Sequence, residues 1–280
     1  MTRSRDHLRA AYEDACRLEI EALKPGNVHV FADGHRMSAD QFLESASVSA
    51  GPLTDPGLPV GRRILEAIRA TRNAVGTNTN LGIVLLAAPL IRAAGAPGPD
   101  LRANLAAVLD SLGMDDAASV FEAIALASPG GLGSAGNDVR EKPKIGLLDA
   151  MREAAGRDMI ARQYVTGFAD IFETGLVTYE NALAQGEGGM WPTIAAYMAF
   201  LAGFPDSHVA RKHGMEIASE VRKEAAGLRA ALLSKKDEAE RLELLMGFDR
   251  RLKAHAVNPG TSADLTVACL LVHFVGHRLA

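Results

Sequence analysis

The chain is poor in cysteine, aromatic residues and positive charge, and each shortage excludes something. It has only two cysteines, Cys16 and Cys269. They lie far apart on apolar helical stretches, so they read as buried free thiols rather than a disulfide framework, which suits a reducing cytoplasm. Aromatic residues make up 5% of the chain, with a single tryptophan, while 48% is hydrophobic, much of it Ala and Leu. Ala and Leu favour helix, whereas aromatic and β-branched residues favour strand. Thirty basic residues against 34 acidic ones give a formal net charge of -4. No nucleic-acid partner is expected, because a general coat needs a basic excess; a local basic pocket for phosphates remains compatible with this balance. The longest apolar run, Leu81 to Ile91, contains Pro89 and stops at Arg92. It falls short of the roughly 20 residues that span a bilayer. Arg3, Arg5 and Asp6 lead into no apolar stretch, so neither a secretory signal nor a membrane partner is expected. Paired Cys-x-x-Cys, His-Glu-x-x-His, Walker and Gly-x-Ser-x-Gly motifs are all missing.

What is present is helical periodicity. Leu8, Ala11, Ala15, Leu18 and Ala22 predict a helix over 3–23, ended by Lys24-Pro25-Gly26-Asn27. Further helices are predicted over 39–50, 60–73, 81–94, 99–112, 115–127, 147–155, 157–184, 193–202, 209–233, 236–256 and from about 260 to 277. The 81–94 helix is apolar all round and should be central. A Gly- and Pro-rich loop is expected over 128–145; long loops inside compact domains are often functional. With no strand alternation, fixed-period repeat or clear linker, the expected fold class is all-α: a single multi-helix globular domain spanning 1–280 with a buried central helix.

Four segments can carry chemistry. In the first, Glu19 lies one helical turn before the stop at Lys24, and a polar loop then supplies Asn27, His29, His35 and Arg36. Lys24, His29, His35 and Arg36 can converge on phosphates, Arg as a planar fork and Lys as a point charge; the plainer reading is a helix stop and a solvated basic loop. The second, Gly76-Thr77-Asn78-Thr79-Asn80-Leu81-Gly82, opens the apolar helix, and free N–H groups there suit an anion. Ordinary N-capping by Asn78 or Thr79 is the structural alternative. In the third, Pro129 to Arg140, Asp138 can hold a metal or orient a substrate, or the stretch is simply a mobile loop. The fourth, Asn258-Pro259-Gly260-Thr261-Ser262-Ala263-Asp264-Leu265, has Thr261 or Ser262 as a cap. Asp264 then falls in the first helical turn, where the dipole favours its charge; alternatively it serves a metal or an acceptor hydroxyl.

Taken in order, Lys24-Pro25-Gly26-Asn27-Val28 with Gly34-His35, then Gly76 to Gly82, then Pro259 to Leu265, resemble the triphosphoribosyl-dephospho-CoA synthase family. The resemblance runs over nearly the whole length. It implies an all-helical enzyme that transfers the triphosphoribosyl group of ATP to 3′-dephospho-CoA and releases adenine, giving a prosthetic-group precursor. The chain departs from the family pattern at Met37 and Ser38, where acidic residues usually follow the histidine. It departs again at Asp158 to Tyr164, in place of a His-Gly-Glu segment, and at Asp206-Ser207-His208 with Lys212-His213-Gly214.

The resemblance yields a set of assignments. Breaking the bond from ribose C1′ to adenine develops oxocarbenium character, and a general base must accept the acceptor's hydroxyl proton. Glu19, Asp138 and Asp264 compete for the catalytic role. Lys24, Asn27, His29, His35, Arg36, Asn78, Thr79, Asn80, Gly260 and Ser262 are the candidate substrate contacts. Mg²⁺ is expected with the triphosphate, held by Asp206 and Asp264. The partners expected are ATP and a nucleotide-like acceptor, with a homodimer as a further expectation. The competing readings are a related transfer to a pterin- or furan-type C1-cofactor intermediate, hydrolysis of the nucleotide, and nucleotide binding without catalysis.

Overall fold

The computed structural model describes residues 3–31, 37–98, 100–127 and 142–277, and among them it has helices and no strand. The helices are α1 (Arg5–Glu21), α2 (Ala39–Leu53), α3 (Val60–Val75), α4 (Leu81–Ala94), α5 (Leu101–Asp110), α6 (Met114–Ala127), α7 (Leu147–Ala154) and α8 (Met159–Thr166). They continue as α9 (Val177–Ala184), α10 (Trp191–Gly203), α11 (Ser207–His213), α12 (Met215–Ser234), α13 (Glu238–Ala254) and α14 (Gly260–His277), with a π-helical turn at Ile171–Leu176. The all-α expectation holds, and most boundaries fall within a few residues of those read from periodicity.

Two stretches expected as single helices are broken. The span 157–184 is interrupted where Gly167 and Phe168 both take positive φ, 63° and 62°. A phenylalanine rarely adopts that backbone, and here complete burial of its ring holds it. The span 209–233 is interrupted at Gly214, φ 91°, between α11 and α12. Sequence also placed a turn at Pro52, yet α2 runs through it to Leu53. The Leu53 carbonyl is taken by Arg63 Nη1 at 2.7 Å, and Arg63 Nε takes the Leu58 carbonyl at 2.8 Å. Burial lowers the pKa of this guanidinium to about 10.

The chain packs as two compact units, one of residues 1–16, 40–169 and 271–280, the other of 17–39 and 170–270. In the first, α4 is the buried centre: from Gly82 to Ala94 only Arg92 is exposed. It lies against α3, α5 and α8, and Tyr164 of α8 donates to the Leu85 carbonyl at 2.6 Å. The expectation of a buried central helix is met there. In the second unit, Trp191, Ile194, Tyr197 and Leu201 of α10 pack with Val221 of α12, Phe248 and Leu252 of α13, and Leu23. Cys16 and Cys269 are buried free thiols. No helix among the described residues is long and apolar enough to cross a membrane.

Candidate functional site

The Lys-Pro-Gly-Asn turn closes α1 and sits deep in the second unit. Gly26 has φ 82°, and a Cβ there would come within 2.8 Å of both Leu252 and Pro259, so only glycine fits. Three distant residues hold the turn. Gly26 N–H donates to Asp249 Oδ1 at 2.8 Å, Tyr197 OH donates to the Pro25 carbonyl at 2.7 Å, and Asn27 Nδ2 donates to Asn258 Oδ1 at 2.9 Å. The last bond joins the first resembling segment to the residue that precedes the last one. Asp249 and Tyr197 were missed by sequence reading, and Asn258 was named within the fourth segment but given no role. Asp249 and Lys253 form an i, i+4 pair on α13, a spacing visible in sequence but shared by many exposed pairs.

Lys24 is not a solvated phosphate ligand. Its side chain is completely buried, and Nζ meets Glu19 Oε1 at 3.1 Å and the carbonyls of Glu19 and Val28 at 2.8 Å each. An ammonium has three protons, and all three are used. Burial lowers the Lys24 pKa and raises that of Glu19, while their mutual attraction opposes both shifts. Glu19 is therefore a buried partner of the loop lysine. His29 is buried as well, with Nε2 3.4 Å from Asp249 Oδ1 and 3.3 Å from Lys253 Nζ. Burial pulls the imidazole below its ordinary pKa of 6.5, against the hydrogen bond it donates to Asp249. The charges of Glu19, Lys24, Asp249 and Lys253 cancel, contrary to the reading of a basic loop, and His29 Nδ1 is buried with no hydrogen-bond partner among the described residues. His35 and Arg36, the other cations assigned to it, lie outside the described residues, as does Asp138.

The start of α14 is built around Asp206. Its Oδ2 accepts from the N–H and the hydroxyl of Ser262 at 2.7 and 2.8 Å, and its Oδ1 accepts from the N–H groups of His208 and Val209 at 2.9 and 3.1 Å. One carboxylate thus caps both α11 and α14. Burial raises its pKa above 3.8, and the four bonds pull it back down. With each oxygen taking two donors, the expected role as a metal ligand gives way to a double cap. Ser262 was expected as a cap itself; its backbone and hydroxyl protons both go to Asp206 instead. Gly260 packs on His208, whose imidazole a Cβ would strike. Because α14 begins at Gly260, Asp264 stands one turn in, half-buried, rather than in the first turn. Among the described residues no three metal-ligating side chains group together.

The second resembling segment is in the first unit, at the start of α4. Asn78 Oδ1 accepts from Leu81 N–H at 3.2 Å, as an N-terminal cap does. Thr79 Oγ1 lies 2.6 Å from Ser45 Oγ. Asn80 Nδ2 reaches the Ser45 carbonyl at 3.4 Å and Ser49 Oγ at 3.3 Å. Asn80 is buried and its side chain caps nothing on its own helix. The structural reading of Asn78 is thus correct, while Thr79 and Asn80 face α2.

Comparisons with known proteins agree with the resemblance. The profile of a family described as ATP:dephospho-CoA triphosphoribosyl transferase matches residues 5–280. A crystal structure from Archaeoglobus fulgidus, described as a triphosphoribosyl-dephospho-CoA synthase, superposes with a TM-score of 0.65 at 26% identity, covering 84% of this chain and 99% of that one. The comparison with curated proteins finds no match. A match over nearly the full length means that this chain belongs to the ATP:dephospho-CoA triphosphoribosyl transferase family and is a transferase that moves the triphosphoribosyl group of ATP to dephospho-CoA.

Proposed function

We propose that Asp264 is the general base of this transfer, that Glu19 and Lys24 shape the neighbouring loop rather than touch substrate, and that the turn at Asn78–Asn80 contacts a nucleotide. One observation carries the choice of base. Glu19 is 3% exposed and already paired with Lys24. Asp264 stands half-buried on α14, two residues beyond the Ser262 N–H that Asp206 fixes. A base must sit on a rigid element at a defined angle to the proton it accepts, and the double cap gives α14 such a start.

In the reaction the bond between ribose C1′ and adenine breaks, and adenine leaves with the bonding pair and gains a proton. The acceptor oxygen bonds to C1′ and loses its proton to Asp264. The triphosphate stays on the transferred ribose throughout. His35 and Arg36 are the groups proposed for the triphosphate, and the turn before α4 is proposed for a nucleotide. Mg²⁺ would travel with the triphosphate and take one or two carboxylates from the protein.

The purified protein, incubated with ATP, Mg²⁺ and dephospho-CoA, should release adenine in step with acceptor consumption. Formation of ADP alone would overturn the transferase reading. Asp264→Asn should lower kcat by ~10²-fold with unchanged helicity; full activity in that variant would remove Asp264 from the chemistry.

A further inference from the structure

The proton directions around the α4 start are fixed by acceptors that cannot donate. Ser49 Oγ donates to the Ser45 carbonyl at 2.6 Å, so Tyr12 OH, 2.9 Å from Ser49 Oγ, is the donor in that pair. Ser45 Oγ donates to the Gln41 carbonyl at 2.5 Å, so the Thr79 hydroxyl, 2.6 Å away, donates to Ser45 Oγ. Asn80 is fixed in the same way. The Ser45 carbonyl at 3.4 Å must face Nδ2, because the flipped amide would set two acceptors against each other. Asn80 Oδ1 is thereby turned off the Ser45–Ser49 face. It is buried and has no hydrogen-bond partner among the described residues, although Asn80 is only 3% exposed. A buried acceptor left without a donor costs free energy, and native proteins rarely keep one without use.

The side-chain protons of Tyr12, Ser45, Ser49, Thr79 and Asn80 are thus committed among these residues and to the Gln41 and Ser45 carbonyls. What Thr79 and Asn80 still offer is acceptor capacity, which repels phosphate oxygens. Asn80 is followed at the helix start by the N–H groups of Gly82 and Ile83, which have no partner within the helix by their position in its first turn. An orphan acceptor next to free N–H donors complements the edge of adenine, where an amino group adjoins an unprotonated ring nitrogen. The pairing has the logic by which an amide side chain reads adenine in DNA.

We propose that the Asn78–Asn80 turn recognises the 6-amino edge of an adenine, with Asn80 Oδ1 accepting the amino proton, and does not bind the triphosphate. The proposal rests on the nucleotide role given to this turn above. The adenine belongs either to ATP or to the acceptor, since dephospho-CoA carries one too. Replacing the amino group by an oxo group removes the donor and sets oxygen against oxygen.

The test compares ATP with ITP at fixed dephospho-CoA, and dephospho-CoA with its 6-oxo analogue at fixed ATP, reading kcat/KM for release of the purine base. A loss of about 30-fold or more in one arm is expected, and that arm identifies which adenine is read. Asn80→Ala should bring that ratio to within about threefold. Equal use of amino and oxo forms in both arms overturns the proposal and leaves a trapped water as the partner of Oδ1. An equal fall for both forms in Asn80→Ala overturns it as well. If no purine is released from any substrate, the transferase reading fails, and calorimetry on the unaltered protein decides the subsite separately. Binding of adenine without binding of hypoxanthine sustains it; equal binding, or none, sinks it. If Asn80→Ala does not fold, the ratios of the unaltered protein stand as the test.

Discussion

Asp206 and Ser262, 56 residues apart in sequence, are joined twice, by the Ser262 N–H at 2.7 Å and by its hydroxyl at 2.8 Å. The other oxygen of the same carboxylate caps α11. Two helix starts in the second unit therefore depend on one side chain, and loss of that side chain should be felt at both.

Asp206→Ala removes the cap of α11 and leaves the N–H and hydroxyl of Ser262 without their acceptor. A lost cap costs ~1 kcal/mol, and buried groups left unpaired cost about 1–3 kcal/mol each. A loss of roughly 3 kcal/mol in urea unfolding is expected. Asp206→Asn keeps acceptor capacity on one oxygen and should lose less. If Asp206 were instead a metal ligand, the stability change in metal-free buffer would be small.

Lys24→Met strands the buried Glu19 carboxylate and two carbonyls. Breaking a buried ion pair from one side costs about 3–5 kcal/mol. Adding Glu19→Gln should recover part of this, because the unpaired charge goes with it. Chemical denaturation of the two single variants and the double variant reads this coupling. A Lys24→Met protein of unaltered stability but lost ATP affinity would restore the phosphate-ligand reading.

Gly26→Ala combines a positive φ with a Cβ 2.8 Å from Leu252 and Pro259. A melting point lowered by several degrees is expected, equivalent to roughly 2 kcal/mol or more from strain and overpacking. Leu252→Ala in the same chain should relieve part of the clash, and the paired melting curves check it.

Stability should fall as the solution is acidified below pH 6.5, and His29 should be part of the cause. Burial lowers its pKa from 6.5. The unfolded chain then takes up a proton that the folded chain refuses, so the contribution is whole above 6.5 and is lost as pH falls toward the folded value. Asp249, held below 3.8 by His29, Gly26 N–H and Lys253 against the effect of burial, adds a loss of the same sign at lower pH. Glu19, raised by burial, acts in the opposite direction above 4.5. The informative quantity is therefore the difference between the parent and His29→Gln. In urea titrations from pH 7.5 to 5.5 the parent should lose up to ~1.4 kcal/mol per pH unit more than the variant. Parallel pH profiles would show that the imidazole does not titrate between folded and unfolded states.

Much of the fold was legible because helical periodicity is a local property. The start of α4 follows from its apolar run, and the stops at Lys24-Pro25-Gly26 and Gly186 to Gly189 follow from backbone chemistry. The break at Phe168 was not legible, since only burial of its ring makes a left-handed phenylalanine tolerable there. The break at Gly214 had a local signal, a lone glycine, which a strong helical pattern on both sides outweighed. The caps at Asp100, Asp158, Asp206 and Asp237 were legible in principle, each standing just before its helix.

The site divides in the same way. Sequence alone determined that the chain is helical, that α4 is buried, and that its unusual polar residues gather in a few short segments at helix ends, because composition and spacing act within a few turns. Only the tertiary structure decided which of those polar groups remain for chemistry. Gly26 meets Asp249 across 223 residues and Asn27 meets Asn258 across 231. A buried hydrogen bond requires its partner in space and is indifferent to distance along the chain, so Lys24 and Asp206 read as ligands in sequence and act as internal ties in the folded protein.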